Sequence, residues 1–265
     1  EYRDSANHVL ARDAPVDAIS TIVYRIEIQS GILFQPHPAF AKSQRGDLLY
    51  HNLTERALEN YHTLADFRQT GTRELTADDY VYQIKRLAHP HIHSPIAGFM
   101  GRYIIGLNDL QRILKDAPGS SDGYIDLREF ELGGVKVIDR YTYEIHLSEK
   151  YPQFVYWLAM PFFAPIPWEA DQFYAQPGME ERNLTLDWYP VGTGPYMLEE
   201  NNPNRRMVLR RNPNFRGERY PSTGMPADEA AGWLDSAGQM MPFIDAAYYS
   251  LEKEAIPGWT KFLQG

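Results

Sequence analysis

The chain has 265 residues, 43% hydrophobic and 23% charged, which is the composition of a globular protein large enough for one large domain or two modest ones. A formal net charge of -9 disfavours nucleic acid and anionic membranes as partners, and the absence of cysteine excludes disulfides, thiolate metal sites and a Cys nucleophile. No apolar run reaches the ~18 residues of a membrane span; the longest, "FVYWLAMPFFAPIPW", is broken by Pro161, Pro165 and Pro167.

Along the chain, "TIVYRIEIQS" places Tyr24, Ile26 and Ile28 on one face and Arg25, Glu27 and Gln29 on the other, the alternation of a half-buried strand that Gly31 ends. "FQPHPAFAK" reads as a Pro-rich loop. At "LTADDYVYQIKRLAHP" the period becomes helical. Thr76 is a good N-cap, Asp78 and Asp79 suit the positive first turn, Val81, Ile84, Leu87 and Ala88 recur on one face, and Pro90 marks the exit. "GLNDLQRILKDA" predicts a second helix with Leu107, Leu110, Ile113 and Leu114 on its stripe.

"GVKVIDRYTYEIHLSE" reads as a hairpin turning at Asp139-Arg140, "QFVYWLAM" as a short buried helix, and "PWEADQFYAQ" as a helix with proline at its first position. From Pro190 the texture changes to strands ("YMLEE", "RMVLRR", "FIDAAYYSLEK") joined by polar turns, and a domain boundary is expected near residues 165–190.

Several motifs invite a chemical reading. Gly192-Thr193-Gly194 lacks the third glycine and the following helix of a dinucleotide fingerprint, and the Lys-Ser/Thr of a Walker loop, so the expectation is a tight backbone turn leading into a strand. Asp122, Gly123, Asp126 and Glu129 match the second half of a calcium loop, but Pro118 stands where the first carboxylate belongs. His89, His91 and His93 have the spacing of a zinc-binding strand face; a solvated helix exit explains them as well. Ser148, Ser222 and Ser236 lack a nucleophile-elbow context. Arg205, Arg206, Arg210 and Arg211 read as a solvated strand face or as a dock for an acidic partner.

Five stretches in order, "YRIEIQSGILFQ", "LTADDYVYQIKRL", "GVKVIDRYTYEIHLSEKYPQFVYWLAMPFFAPIPWEA", "YPVGTGPYMLEENNPNRRMVLRRNPNFRG" and "PFIDAAYYSLEKEA", together resemble the extracytoplasmic solute-binding proteins, family 5, of ABC importers. The G-T-G-P-Y turn and the R-N-P-x-F element carry the resemblance most specifically. "FQPHPAFAK" departs from the family's Asp-Gly turn, and the segment between Pro90 and Gly134 is longer than in simple peptide binders.

The resemblance implies an α/β fold (α+β, mixed sheets) of the type II periplasmic-binding-protein kind, present in part: residues 1–165 as the accessory domain, 166–265 as part of the first ligand-binding lobe, and the C-terminal lobe absent. It implies a periplasmic, monomeric binding protein that is not an enzyme. Its expected partners are a peptide or peptide-like solute and a membrane permease, with no cofactor, metal or nucleic acid. Tyr156, Trp157, Met160, Gly192, Thr193, Gly194 and Tyr196 are the residues expected to face the ligand.

Overall fold

The fold is described from a computed structural model, for residues 1–119, 124–202, 204–250 and 255–264. Strands β1 (Tyr2–Arg3), β2 (Val9–Leu10), β3 (Thr21–Glu27), β4 (Val135–Asp139) and β5 (Thr142–Leu147) form an antiparallel sheet in the order β2-β1-β3-β5-β4. The predicted hairpin is β4–β5, with its register shifted between Val137 and Asp139. Arg25 and Glu144 are cross-strand partners in β3 and β5, and their side chains pair at 2.6 Å.

Against this sheet pack α2 (Ala77–Arg86), α3 (Ala97–Tyr103), α4 (Leu107–Lys115) and α5 (Phe154–Leu158). The first core joins Ile22, Ile145 and Leu147 of the sheet to Val81, Ile84, Met100, Leu110, Leu114 and Phe154 of the helices. In α2 the Asp79 carboxylate accepts from the Thr76 backbone N–H at 2.9 Å and the Thr76 hydroxyl at 3.3 Å, so donors left unpaired at a helix start are satisfied. Two expectations need correction. Ile113 points away from the buried stripe of α4 and is 54% exposed. In α5 only Phe154 is buried, while Val155 and Tyr156 face solvent, so this helix is not a buried one.

A second core combines residues from 32–75 with residues from 170–191, and therefore draws on both sides of residue 165. Phe34, Phe40, Leu58 of α1 (Glu55–Leu58) and Phe67 pack there with Ala170 and Phe173 of α6 (Trp168–Tyr174). Pro167 is the cap of α6 rather than its first residue. The supposed loop "FQPHPAFAK" is part of this core: His37, Ala39, Phe40 and Ala41 are all buried. Gly71 is required beside it, because a Cβ there would lie 2.2 Å from the Phe40 carbonyl oxygen.

Arg73 connects the two cores. Its guanidinium spends all five N–H donors: on Glu169 Oε1 and Oε2, on Asp79 Oδ1 and Oδ2, and on the Glu74 carbonyl. It also lies over the rings of Phe34 and Phe40, 5.2 and 5.6 Å from their centroids.

Beyond residue 190, β6 (Tyr196–Asn202), β7 (Arg206–Arg211) and β10 (Ala246–Ser250) form an antiparallel sheet in the order β10-β7-β6. A small ribbon of β8 (Glu218–Arg219) and β9 (Met240–Met241), the helix α7 (Pro226–Ala230) and the helix α8 (Ala255–Gln264) complete the chain. Val208 is the buried residue of β7, whereas Met207, Tyr248 and Tyr249 are exposed.

Candidate ligand-binding surface

The turn 192–195 leads into a strand, β6, and not into a helix, so it offers no helix N-terminus to a phosphate. It is fastened from two directions. Gln35, itself buried, donates its backbone N–H to the Gly192 carbonyl at 2.9 Å and accepts the Gly192 N–H on Oε1 at 3.1 Å. From the other side, buried Asn212 donates its Nδ2 to the Gly194 carbonyl at 2.8 Å and its backbone N–H to the Pro195 carbonyl at 2.9 Å. Asn214 extends the clamp by donating Nδ2 to the Phe34 carbonyl at 2.8 Å. The R-N-P-N-F element therefore holds the G-T-G-P-Y turn against the strand-like segment 34–35.

Neither Gly192 nor Gly194 has a positive φ, and a Cβ on Gly194 would meet nothing within 4 Å. The tight-turn explanation for these glycines is thus not what the backbone requires; the space in front of Gly194 is open. Tyr196 donates its hydroxyl to the Ile244 carbonyl at 3.0 Å and lines a small pocket of about 300 Å³ with Phe215, Met241, Pro242 and Phe243.

The other predicted residues lie elsewhere. Tyr156 is 71% exposed on α5 and Met160 is 43% exposed just after it. Trp157 is half-buried against the first core, donates its indole N–H to the Tyr151 hydroxyl at 2.9 Å, and tilts against Phe99 at 5.5 Å between ring centres. Among the described residues no hydrogen bond, ring contact or common pocket joins this group to residues 192–196.

The remaining motifs have structural occupations. Arg205 and Arg206 pair with Glu200, Arg210 with Glu199, and Arg211 with Asp245, so the arginine strand is neutralised by carboxylates of its own region. His89 is buried, accepts the His91 backbone N–H on Nδ1, and is pushed down to about 4 by burial. Asp126 caps a short turn and grips Arg128 with both oxygens; Asp122 and Gly123 lie outside the described residues. Among the described residues there is no group of three His, Asp or Glu side chains fit to hold a metal ion.

Sequence reasoning missed a buried polar chain in the second core. There His37 Nδ1 accepts the Ala39 N–H, which leaves the proton on Nε2 to donate to the Tyr174 hydroxyl at 2.8 Å; Tyr174 in turn donates to the Tyr189 carbonyl at 2.9 Å. The sequence hint was His37 itself, set between Pro36 and Pro38 and followed by Ala39 and Phe40.

Comparison with known proteins fits this architecture. The family model for bacterial extracellular solute-binding proteins, family 5 middle, matches residues 69–224. The periplasmic oligopeptide-binding protein OppA of Salmonella typhimurium is 30% identical over 156 residues, which is 58% of this chain and 25% of that protein. The probable deoxycholate-binding periplasmic protein YgiS of Escherichia coli is 24% identical over 160 residues, 60% of this chain and 26% of that protein. Among solved structures, the periplasmic binding protein DppA from Helicobacter pylori in complex with the peptide STSA superposes with a TM-score of 0.52 at 14% identity, covering 92% of this chain and 34% of that one. The fold is therefore the α/β, type II periplasmic-binding-protein kind, present in part, and the matching stretch spans about a quarter of the length of the curated relatives.

Proposed function

The chain belongs to the bacterial extracellular solute-binding proteins of family 5, and on that premise we propose that it forms part of the substrate-binding component of an ABC importer. In this reading the whole protein works in the periplasm. It captures peptides or related solutes and delivers them to a membrane permease, and it makes and breaks no covalent bond. The observation that carries the reading is the family match across residues 69–224, which takes in the clamped turn at 192–195.

Residues 1–165 are assigned to the accessory domain and 166–265 to part of the first ligand-binding lobe. The second core packs residues from both sides of that division against one another. Gly192, Thr193, Gly194 and Tyr196 are assigned to the ligand-facing edge. Support comes from the open space before Gly194 and from the fastening of the turn's backbone by Gln35 and Asn212, which fixes its position. Tyr156, Trp157 and Met160 supply a second, aromatic contact, on the strength of the exposure of Tyr156 and Met160. A peptide held between such surfaces is gripped through its backbone, with side chains in roomy pockets.

The test is to purify the longer protein that contains this chain, denature it, and identify released molecules by mass spectrometry. Peptides or peptide-like solutes are expected. Recovery of stoichiometric zinc or calcium together with peptide hydrolysis would overturn the reading. The chain by itself should bind a peptide pool more weakly than micromolar in isothermal titration, because in the relatives about three quarters of the protein lies outside the matched stretch.

A further inference from the structure

A second concave surface lies away from residues 192–196. It is a cleft of about 850 Å³ between α2, the segment 128–137 and the start of α6, within the ~300–1,000 Å³ range of small-molecule sites. Its base is the Arg73–Asp79–Glu169 trio, in which all five guanidinium donors are spent internally. Glu74 and Arg140 on the rim are likewise paired with each other, at 2.8 Å. These groups build the cleft and are not free for a ligand.

Other lining groups are free. Asp78, Glu131 and Lys136 are exposed and make no ion pair among the described residues. Lys85 is half-buried and gives one bond, 3.2 Å to the Leu127 carbonyl, leaving two of its three N–H donors. Burial lowers the Lys85 ammonium from the ordinary lysine value while the charges of Asp78, Glu131 and Asp126 oppose the shift, so these carboxylates face the ammonium without touching it. Arg128 spends Nε and Nη2 on Asp126, keeps Nη1 unspent, and lies 3.6 Å over the Trp168 ring. Between these charges the wall is apolar, formed by Val81, Leu132, Val135 and Val137.

Free cations and free carboxylates around an apolar wall match a ligand that carries both signs on an apolar body. We propose that this cleft is a second, accessory binding site for a small zwitterion with an apolar side chain, of amino-acid or dipeptide size. Asp78 and Glu131 receive its ammonium, Lys85 and Lys136 receive its carboxylate, and Val137 and Trp168, the accessible apolar groups of the lining, hold its side chain. The proposal stands independently of the ligand-facing role given to residues 192–196, since no residue is shared between the two surfaces.

The test uses the 265-residue chain and leucyl-leucine, with N-acetyl-leucyl-leucine and leucyl-leucinamide as blocked analogues, read by amide NMR shifts. Saturable shifts are expected in residues 76–85 and 128–137, with each blocked analogue binding about tenfold more weakly, the loss of one charge-assisted contact. Asp78→Asn with Glu131→Gln should abolish the preference for the free amine and leave N-acetyl-leucyl-leucine unchanged. Lys136→Gln should reduce the preference for the free carboxylate. All three residues are exposed, so these variants keep the fold. Absence of saturable shifts into the millimolar range, equal binding of all three compounds, or shifts confined to residues 154–160 and 192–196 would overturn the proposal.

Discussion

His37 should make the folded chain sensitive to acid. It is 2% exposed, enclosed by the rings of Phe40, Phe173 and Tyr174, and its two nitrogens are committed to the Ala39 N–H and the Tyr174 hydroxyl. Burial, and secondarily the field of His51, push it down from 6.5 to about 3. The unfolded chain takes up this proton as pH falls through 6.5, and the folded chain resists until about pH 3, so acidification favours unfolding across that window. The full gap of about 3.5 units corresponds to about 5 kcal/mol, and by pH 5 about 2 kcal/mol of it is already lost relative to neutral pH. Urea unfolding at pH 7 and pH 5 measures this. His37→Asn, which keeps an acceptor for the Ala39 N–H but cannot titrate, should shrink the difference between the two pH values by about 2 kcal/mol while lowering stability at both. A pH difference unchanged in the variant, or a His37 ring signal that titrates above pH 5 in the folded chain, would refute the reasoning.

Other perturbations follow from the same contacts. Arg73→Met strands the Asp79 and Glu169 carboxylates in the interior and should cost about 3–5 kcal/mol in urea unfolding, whereas Glu131→Gln in the same cleft should change stability by less than about 0.5 kcal/mol. Asn214→Ala removes the bond to the Phe34 carbonyl and should cost about 1 kcal/mol by the same measurement. Thr76→Ala removes the cap of α2 and should cost about 1 kcal/mol, seen also as faster amide exchange in the first turn. Tyr156→Ala, at an exposed position, should leave stability within about 0.5 kcal/mol and, in the longer protein, weaken peptide binding; unchanged affinity would remove Tyr156 from the ligand-facing set.

Much of the first sheet and its helices was legible in the chain. The alternation from Thr21, the helix opening at Thr76 and the hairpin around residue 140 are local signals, although the turn lies at Arg140-Tyr141, one residue beyond the expected Asp139-Arg140, because Asp139 still pairs with Thr142. What escaped was decided by distant partners. Asp79 looks like an ordinary first-turn acid, yet it shares the Arg73 guanidinium with Glu169, which lies 96 residues beyond Arg73. The stretch from His37 to Ala41 carries loop composition, yet it is buried in the core that Phe173 and Tyr174 share. Likewise α3 was not anticipated, and the exposure of α5 could not be read from its apolar sequence, since periodicity cannot say whether a short apolar helix has something to lie against. The resemblance drew attention to the turn at 192–195 and to the R-N-P-N-F element with Asn212 and Asn214, but not to their joining into a clamp, which also depends on Gln35, a residue no local pattern singles out.

The bond from Asn214 to the Phe34 carbonyl joins positions 180 apart in the chain. During synthesis, which proceeds at roughly 5–20 residues per second, the early segment around Phe34 must wait many seconds for its last tether to emerge. Its aromatic cluster stays uncovered until Phe173 and Tyr174 have emerged, and that earlier interval is when exposed apolar surface on the nascent chain most favours shielding by a chaperone.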